Sequence, residues 1–327
     1  MEQKKSRLIP LLQKHAQALP YFGASASASF LRAGIANIAF RVESSAKSLL
    51  VKFAVAPASK PTVFIQAGYE KKLAEKISSL DISPRFLSFG SITISGRKFP
   101  YSVQEFVDGS DLDYSKDLPS VARLLHRLHH KTRGKKSICQ YRVEDVETYL
   151  EKKAQIDAVR SPQNSPINKL AKLAKARLEK SEPSTGNYQC LIHNDLTSEN
   201  ILISKNRPYL IDWGWAMYSC AALDVCNILS PFNSSWARPY FINKPQAIAF
   251  LNSYFKGFDE GDRENISSSI KEFWIPYNSL IANWIANDFL PIHPIGEKHY
   301  FHTKPFQDKA FAHTLLLQKF FEKSLPV

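Results

Sequence analysis

The sequence predicts an α+β fold of two lobes, a small antiparallel sheet followed by a larger, mainly helical part. One observation is length, because 327 residues exceed a typical single domain. The other is a change of period: alternating segments dominate up to about residue 106, and apolar residues at helical spacing dominate afterwards. We therefore expect an N-terminal lobe over residues 1–106 and a C-terminal lobe over residues 107–327.

The N-terminal lobe is predicted to contain five strands and one main helix. The strands are expected at residues 25–31, 38–43, 48–54, 85–94 and 97–106. The main helix is expected at residues 64–78, where Tyr69, Leu73 and Ile77 share one face. A short additional helix fits residues 5–18.

The C-terminal lobe is predicted to be helical except for one strand pair. Helices are expected at residues 118–130, 143–156 and 167–180, and a mostly helical end is expected after the pair. The pair consists of residues 201–203 and 209–211, which flank a polar turn that ends in Pro208.

Composition excludes several classes of protein. Apolar residues make up 44% of the chain and charged residues 22%, as in globular and not in disordered proteins. No apolar run approaches the roughly 20 residues of a membrane span. The charged N-terminus lacks a signal-type segment and the four cysteines lack metal-binding spacing, so we expect a cytoplasmic protein with reduced thiols.

The formal charge of +13 is unevenly distributed. Two predicted basic helices, within residues 118–142 and 167–180, are rich in Lys and Arg, and residues 118–141 include no acid. Such a face can attract nucleic acid or phosphorylated molecules, or it can be a solvated helix surface.

The most informative motif is His193-x-Asp195, followed by Asn200 and, beyond the strand pair, by Asp212. A hairpin would bring Asn200 and Asp212 to the same end, where their side chains can converge with that of Asp195. Phosphoryl transfer requires such a set: Asp195 as the base for a substrate hydroxyl, and Asn200 and Asp212 as ligands of Mg²⁺ against the phosphates of ATP. His193 is expected to be structural, and a coincidental polar hairpin is the alternative.

An enzyme of phosphoryl transfer is also expected to have a lysine and a carboxylate upstream of this motif. Lys52 lies in an apolar strand, where an unpaired ammonium is unfavourable, and is expected to hold the α- and β-phosphates of ATP. Glu70 on the following helix is its expected partner, although Glu75 shares that helix. The alternative for Lys52 is a side chain that points to water.

Two segments are candidates for further contacts with the nucleotide. The turn between the first two strands contains Gly34 and Asn37, whose backbone amides can cradle a phosphate. It lacks a glycine-rich motif, and an ordinary hairpin turn also fits. After the fifth strand, the main-chain groups of Glu105 and Val107 are candidates to hydrogen-bond an adenine edge.

On these motifs the chain resembles the aminoglycoside phosphotransferase/choline kinase family of small-molecule kinases, which share a protein-kinase-like fold. The resemblance runs from about residue 31 to residue 229 and includes Lys52, Glu70, Gly109, Leu128-His129, the HxDLxxxN loop and Ile211-Asp212-Trp213. It implies ATP and Mg²⁺ as cofactors, a small-molecule hydroxyl as acceptor, and a bracing role for Asp224. Gly214-Trp215 departs from the Glu-Tyr pair usual in bacterial choline kinases, and the lack of HRD and DFG elements disfavours a protein kinase.

The acceptor is expected near aromatic residues of the C-terminal helices. Trp274, Tyr277 and Trp284 have helical spacing, and such rings can form a cage for an ammonium group. Core packing is the alternative for these rings. Asp288 is a candidate to bind an amine and is equally typical of a helix end.

Net charge ranks the acceptor classes. A chain at +13 has no overall attraction for polycationic aminoglycosides, so an amino alcohol such as choline or ethanolamine, or a related metabolite, is predicted first and an antibiotic second. A phosphorylated sugar or an RNA hydroxyl, attracted by the basic helices, is third. A nucleotide-binding pseudokinase is the non-enzymatic alternative.

Overall fold

The computed structural model describes residues 2–22, 25–33, 37–45, 47–55, 62–135, 165–179, 188–235, 239–286 and 303–325. It divides into two compact units, Met1–Asp108 and Gly109–Val327. Gly34, Asp288 and the helix predicted at residues 143–156 lie outside the described residues.

The N-terminal unit is built on a five-stranded antiparallel sheet with the order β1-β2-β3-β5-β4. Its strands are β1 (Ser27–Ala33), β2 (Asn37–Glu43), β3 (Ser48–Ala54), β4 (Phe86–Ile94) and β5 (Arg97–Glu105). Helix α1 (Glu2–Gln17) packs against β1 and β2, and α2 (Thr62–Ile77) packs against β4 and β5. All the elements predicted for this lobe are confirmed, with small shifts of their ends.

Alternation along β3 determines which face of the sheet carries the lysine. Leu49, Val51 and Phe53 are buried in the core between the sheet and α1. Successive strand residues point to opposite faces, so Lys52 lies on the other face of the sheet.

The C-terminal unit is mainly helical. Its described helices are α3 (Leu118–Thr132), α4 (Pro166–Leu178), α5 (Ala222–Leu229), α6 (Pro231–Ser234), α7 (Lys244–Phe255), α8 (Glu260–Trp284) and α9 (Lys304–Ser324). The long helix α8 packs against α4, α5 and α9, whereas α3 packs against α7. Because α8 has neighbours on several sides, most of its apolar residues are buried.

Two small antiparallel sheets complete the C-terminal unit. β7 (Gln189–Ile192) pairs with β10 (Met217–Cys220), and β8 (Ile201–Ser204) lies between β6 (Ser110–Asp111) and β9 (Arg207–Leu210). β8 and β9 form the predicted hairpin, but the turn is shorter than predicted. Lys205 and Asn206 have φ values of 49° and 61°, as a two-residue type I′ turn requires. Pro208 therefore lies in β9, an edge strand that tolerates a residue without an N–H.

The structure confirms the predicted α+β class, with a small antiparallel sheet first and a mainly helical remainder. Within the described parts of the chain, no helix has both the length and the apolar character that crossing a membrane requires.

Candidate active site

The loop after β7 brings two of the predicted site residues into contact. Asn200 donates from Nδ2 to the carbonyl oxygen of Asp195 at 2.9 Å and to its Oδ2 at 2.8 Å. With Nδ2 turned toward Asp195, the other end of the amide, Oδ1, accepts no hydrogen bond from the residues described. Asn200 can therefore orient the carboxylate of Asp195 and still offer an oxygen to a cation.

The environment of Asp195 favours proton exchange near neutral pH. Burial, together with the charge of Asp212, raises the pKa of Asp195 to about 7. The hydrogen bond from Asn200 opposes this shift. A carboxyl group with such a pKa is suited to act as a general base.

The β8–β9 hairpin places Asp212 beside Asn200. The N–H of Ile211 donates to the carbonyl oxygen of Asn200 at 3.0 Å. Asp212 itself has φ 64° and ψ 67°, a left-handed conformation that is uncommon outside glycine and often found at functional sites.

The donor set at this point suits Mg²⁺. The ion prefers hard oxygen ligands, and it is usually held by one or two protein ligands together with phosphate oxygens and water. The carboxylate of Asp212 and Oδ1 of Asn200 are ligands of this kind. No cluster of three or more His, Cys, Asp or Glu residues that could hold a metal occurs in the described ranges, and a site of this type does not need one.

His193 joins the loop to the strand that precedes Asp212. Its Nε2 donates to the carbonyl oxygen of Ile211 at 3.0 Å, and its ring lies 4.7 Å from that of Trp213. Burial lowers the pKa of His193, which favours the neutral ring. This placement supports a structural role for His193.

Helix α5 holds the backbone on both sides of Asp195. The carboxylate of Asp224 accepts hydrogen bonds from the N–H groups of His193 and Asn194, both at 2.8 Å. Asn227 accepts a hydrogen bond from the N–H of Leu196 at 3.0 Å. Sequence reasoning missed Asn227, although its spacing of three residues from Asp224 on a helix places both on one face.

Asp224 is fixed in turn by a buried pair from α3 and α7. Nε2 of His129 lies 3.1 Å from Oδ2 of Asp224, and Nδ1 of His129 lies 2.7 Å from the hydroxyl of Tyr254. All three side chains are buried. The sequence gives no signal for Tyr254, because its contact joins residues 125 positions apart.

In the N-terminal unit, Lys52 and Glu70 form an ion pair. Nζ and Oε2 are 3.1 Å apart, and the side chains are only 14% and 10% exposed. Glu75 pairs with Lys71 instead. Of the two carboxylates considered on α2, Glu70 is therefore the partner, and the alternative of a Lys52 side chain in water does not apply.

The other predicted nucleotide contacts lie on the same sheet or just after it. Asn37 begins β2 and pairs with Ala54. The N–H of Glu105 donates to the carbonyl oxygen of Arg85 at 2.9 Å. This bond occupies only the N–H of Glu105, so the prediction that main-chain groups of Glu105 and Val107 bind an adenine edge stays a prediction. Val107 follows β5 and is partly buried.

The predicted aromatic cage is wrong for two of its members. Trp274 and Tyr277 are 0% and 1% exposed. Trp274 donates from Nε1 to the carbonyl oxygen of Thr314 at 2.9 Å, inside the packing of α8 against α9. Both rings are core residues, since helical spacing is the same for a face that packs and a face that binds. Trp284 ends α8 and is partly buried.

An exposed aromatic residue lies three positions after Asp212 instead. Trp215 ends the turn Trp213–Trp215 and is 56% exposed. In the sequence its only signal was the departure from the pattern of bacterial choline kinases. Its position makes it a better candidate than Trp274 or Tyr277 for contact with an acceptor.

Sequence comparison assigns the family. The sequence profile of the phosphotransferase enzyme family matches residues 27–263, which is most of the chain. The chain belongs to this family. It is an enzyme that transfers a phosphoryl group to a hydroxyl group of a small molecule, as the sequence analysis predicted.

Solved structures confirm the protein-kinase-like fold. A choline/ethanolamine kinase family protein from Mesorhizobium loti is 14% identical, with a TM-score of 0.65 over 95% of each chain. Ethanolamine kinase from Plasmodium vivax is 15% identical, with a TM-score of 0.58 over 91% of this chain and 83% of that chain. An amicoumacin kinase is 16% identical, with a TM-score of 0.63 over 99% of this chain and 96% of that chain. No curated protein sequence matches the chain.

Proposed function

We propose that this phosphotransferase uses ATP and Mg²⁺ to phosphorylate a small amino alcohol, such as ethanolamine or choline, or a closely related metabolite. The observation that carries the proposal is the contact of Asp195 with Asn200 beside Asp212. A proton acceptor next to two metal-binding oxygens is the set of groups that transfer of the γ-phosphoryl group to an alcohol requires.

In the proposed reaction, Asp195 orients the acceptor hydroxyl and takes its proton. The acceptor oxygen forms a bond to the γ-phosphorus while the bond to the bridging oxygen breaks, and ADP leaves with that oxygen. Asn200 and Asp212 would hold Mg²⁺, which would neutralise charge on the phosphates. Lys52, fixed by Glu70, is assigned to the α- and β-phosphates. The main-chain groups of Glu105 and Val107 remain candidates to bind the adenine.

Charge favours an amino alcohol over an antibiotic. The fold does not distinguish an amino alcohol from an antibiotic as acceptor, because neighbours named aminopropanol kinase and spectinomycin phosphotransferase have similar TM-scores of 0.59 and 0.60. A net charge of +13 repels a polycation more than a molecule with one ammonium group. The exposed ring of Trp215 suits a single ammonium, with an attraction of about 0.5–2 kcal/mol.

The test is Mg-ATP consumption against choline, ethanolamine, amino sugars, aminoglycosides, sugars and tRNA. We expect turnover on an amino alcohol, and a decrease of about 10²–10⁴-fold in Asp195→Asn. Asp308→Asn, an exposed acid on α9, is the matched control and should retain activity. Equal turnover in Asp195→Asn would refute the assignment of the base, and turnover confined to aminoglycosides would replace the amino alcohol by an antibiotic.

Calorimetry with Mg-ATP tests the metal ligands separately. Asp212→Ala removes a carboxylate ligand, so binding of Mg-ATP should be lost while the fold is retained. Wild-type affinity in Asp212→Ala would contradict its assignment as a ligand.

A further inference from the structure

We infer that Tyr277 is a positioning residue for the catalytic loop and that it acts through Asn227. The inference rests on the proposed role of Asp195. The hydroxyl oxygen of Tyr277 accepts a hydrogen bond from Nδ2 of Asn227 at 2.5 Å, and Oδ1 of Asn227 accepts one from the N–H of Leu196 at 3.0 Å. Leu196 directly follows Asp195, so two hydrogen bonds join α8 to the peptide group next to the proposed base.

The partners of Asn227 fix the orientation of its amide. Oδ1 accepts a second hydrogen bond, from Nδ2 of Asn233 at 2.8 Å. An amide turned by 180° would direct its NH₂ group at two other donors. Nδ2 then needs an acceptor on its own side, and Tyr277 provides it. The hydroxyl of Tyr277 thus stabilises the one orientation in which Oδ1 faces Leu196.

Burial makes this arrangement sensitive to the loss of one atom. Asn227 and Tyr277 are each 1% exposed. Water in the bulk therefore does not replace a lost partner, and a buried N–H without an acceptor is unfavourable. Without the hydroxyl, Nδ2 of Asn227 loses its acceptor and the amide holds Leu196 less firmly. Misplacement of a catalytic group by about 1 Å can lower the rate by up to ~10²-fold.

No other described contact duplicates this one. Asp224 binds the N–H groups of His193 and Asn194, which precede Asp195, whereas Asn227 binds the N–H that follows it. Asp224 and Asn227 both lie on α5, but they are fixed by residues of different helices. Asp224 is fixed through α3 and α7, and Asn227 is fixed through α8.

The test compares Tyr277→Phe with Tyr188→Phe. Tyr188 is also buried, at 3% exposed, but its hydroxyl has no hydrogen-bond partner in the described structure, so the same atom is removed without loss of a bond. Phosphate release from Mg-ATP with water as acceptor is measured, because this reaction needs no knowledge of the natural acceptor. We expect kcat to decrease about tenfold in Tyr277→Phe with KM for ATP unchanged, and no change in Tyr188→Phe.

A double-mutant cycle separates positioning from a merely structural role. If Tyr277 acts through Asn227, the kcat effect of Tyr277→Phe should vanish in an Asn227→Ala background. Unchanged kcat in Tyr277→Phe, or effects that add in the cycle, would overturn the inference. If Tyr277→Phe does not fold, Asn227→Asp is compared with Asn227→Ala. The aspartate keeps an acceptor for the N–H of Leu196 and can accept from Tyr277, so Asn227→Asp should retain the higher kcat. Equal kcat values in these two variants would overturn the inference.

Asp195→Asn in the same assay distinguishes a failure of the proposed function from a failure of the inference about Tyr277. If its phosphate release equals that of the wild type, the proposed function of Asp195 fails. If Asp195→Asn is inactive and Tyr277→Phe is fully active, only the inference about Tyr277 fails.

Discussion

Asp195 is a carboxyl group that the fold partly shields from water, and its proposed function depends on that shielding. With a pKa of about 7, the ionised form that a base needs appears only near neutral pH. The unfolded chain releases this proton near pH 3.8. Between these two values the folded protein holds more protons than the unfolded chain, so stability falls as pH rises from about 4 to 7.

The first prediction concerns pH and Asp195. For the wild type, kcat/KM should rise through about pH 7, because it reports the free enzyme. Asp195→Asn removes the half-buried charge, so its melting temperature should exceed that of the wild type by a few degrees at pH 8, and this difference should shrink toward pH 4. Thermal melts of the nucleotide-free protein check this, with Asp308→Asn as control. A difference that grows on acidification would contradict the burial argument.

The second prediction concerns Trp215. If its exposed ring contacts an ammonium group, Trp215→Ala should raise KM for the acceptor by roughly 2–30-fold, which corresponds to the ~0.5–2 kcal/mol of a cation–π contact. Trp215→Phe keeps an aromatic face, so its KM for the acceptor should lie between those of the wild type and Trp215→Ala. Steady-state kinetics with ethanolamine or choline measures this. An equal rise of KM for ATP would point to a general disturbance of the turn.

At the scale of elements, the chain at β6 must approach closely the β8–β9 hairpin, which begins directly after Asn200. A Cβ on Gly109 would lie 2.8 Å from the carbonyl oxygen of Ile203. Ile203 belongs to β8, which begins directly after Asn200, and it pairs with Ser110. The glycine is required here for space and not for a special backbone angle.

The third prediction follows from that contact. Gly109→Ala should destabilise the protein by about 1–3 kcal/mol, because backbone atoms must move apart. Since β8 moves with Asn200, kcat should decrease as well. Gly261→Ala is the control: its Cβ would meet no atom closer than 3.8 Å, and alanine favours the first turn of α8. Denaturant unfolding of both variants measures the difference, and equal stabilities would exclude the steric argument.

On the scale of the whole molecule, the features predicted from the sequence are those that depend on neighbours along the chain. Alternation in β3 and the spacing from His193 to Asp212 are of this kind. Contacts across long separations were not predictable, as between Asn227 and Tyr277, which are 50 residues apart. The misassigned Trp274 shows a related limit, because the sequence gives the spacing of aromatic residues on a helix but not the number of neighbours around it.

The fourth prediction concerns the net charge of +13, which should affect the two substrates in opposite directions. It attracts ATP and repels a cationic acceptor such as ethanolamine. Raising ionic strength from about 0.01 to 0.15 M shortens the Debye length from about 30 to 8 Å. KM for ATP should therefore rise and KM for ethanolamine should fall, both by a few-fold at most.

Exposed residues of α3 allow this explanation to be tested by charge reversal. Arg123, Arg127 and Lys131 are exposed and form no ion pair with the residues described in the structure. Changing all three to Glu should weaken both salt effects, whereas Arg123→Lys with Arg127→Lys keeps the charge and should leave them intact. If KM for the true acceptor instead rises steeply with salt, the acceptor is anionic, since contacts with phosphate groups weaken strongly with salt. That outcome would favour a phosphorylated sugar or an RNA hydroxyl over an amino alcohol.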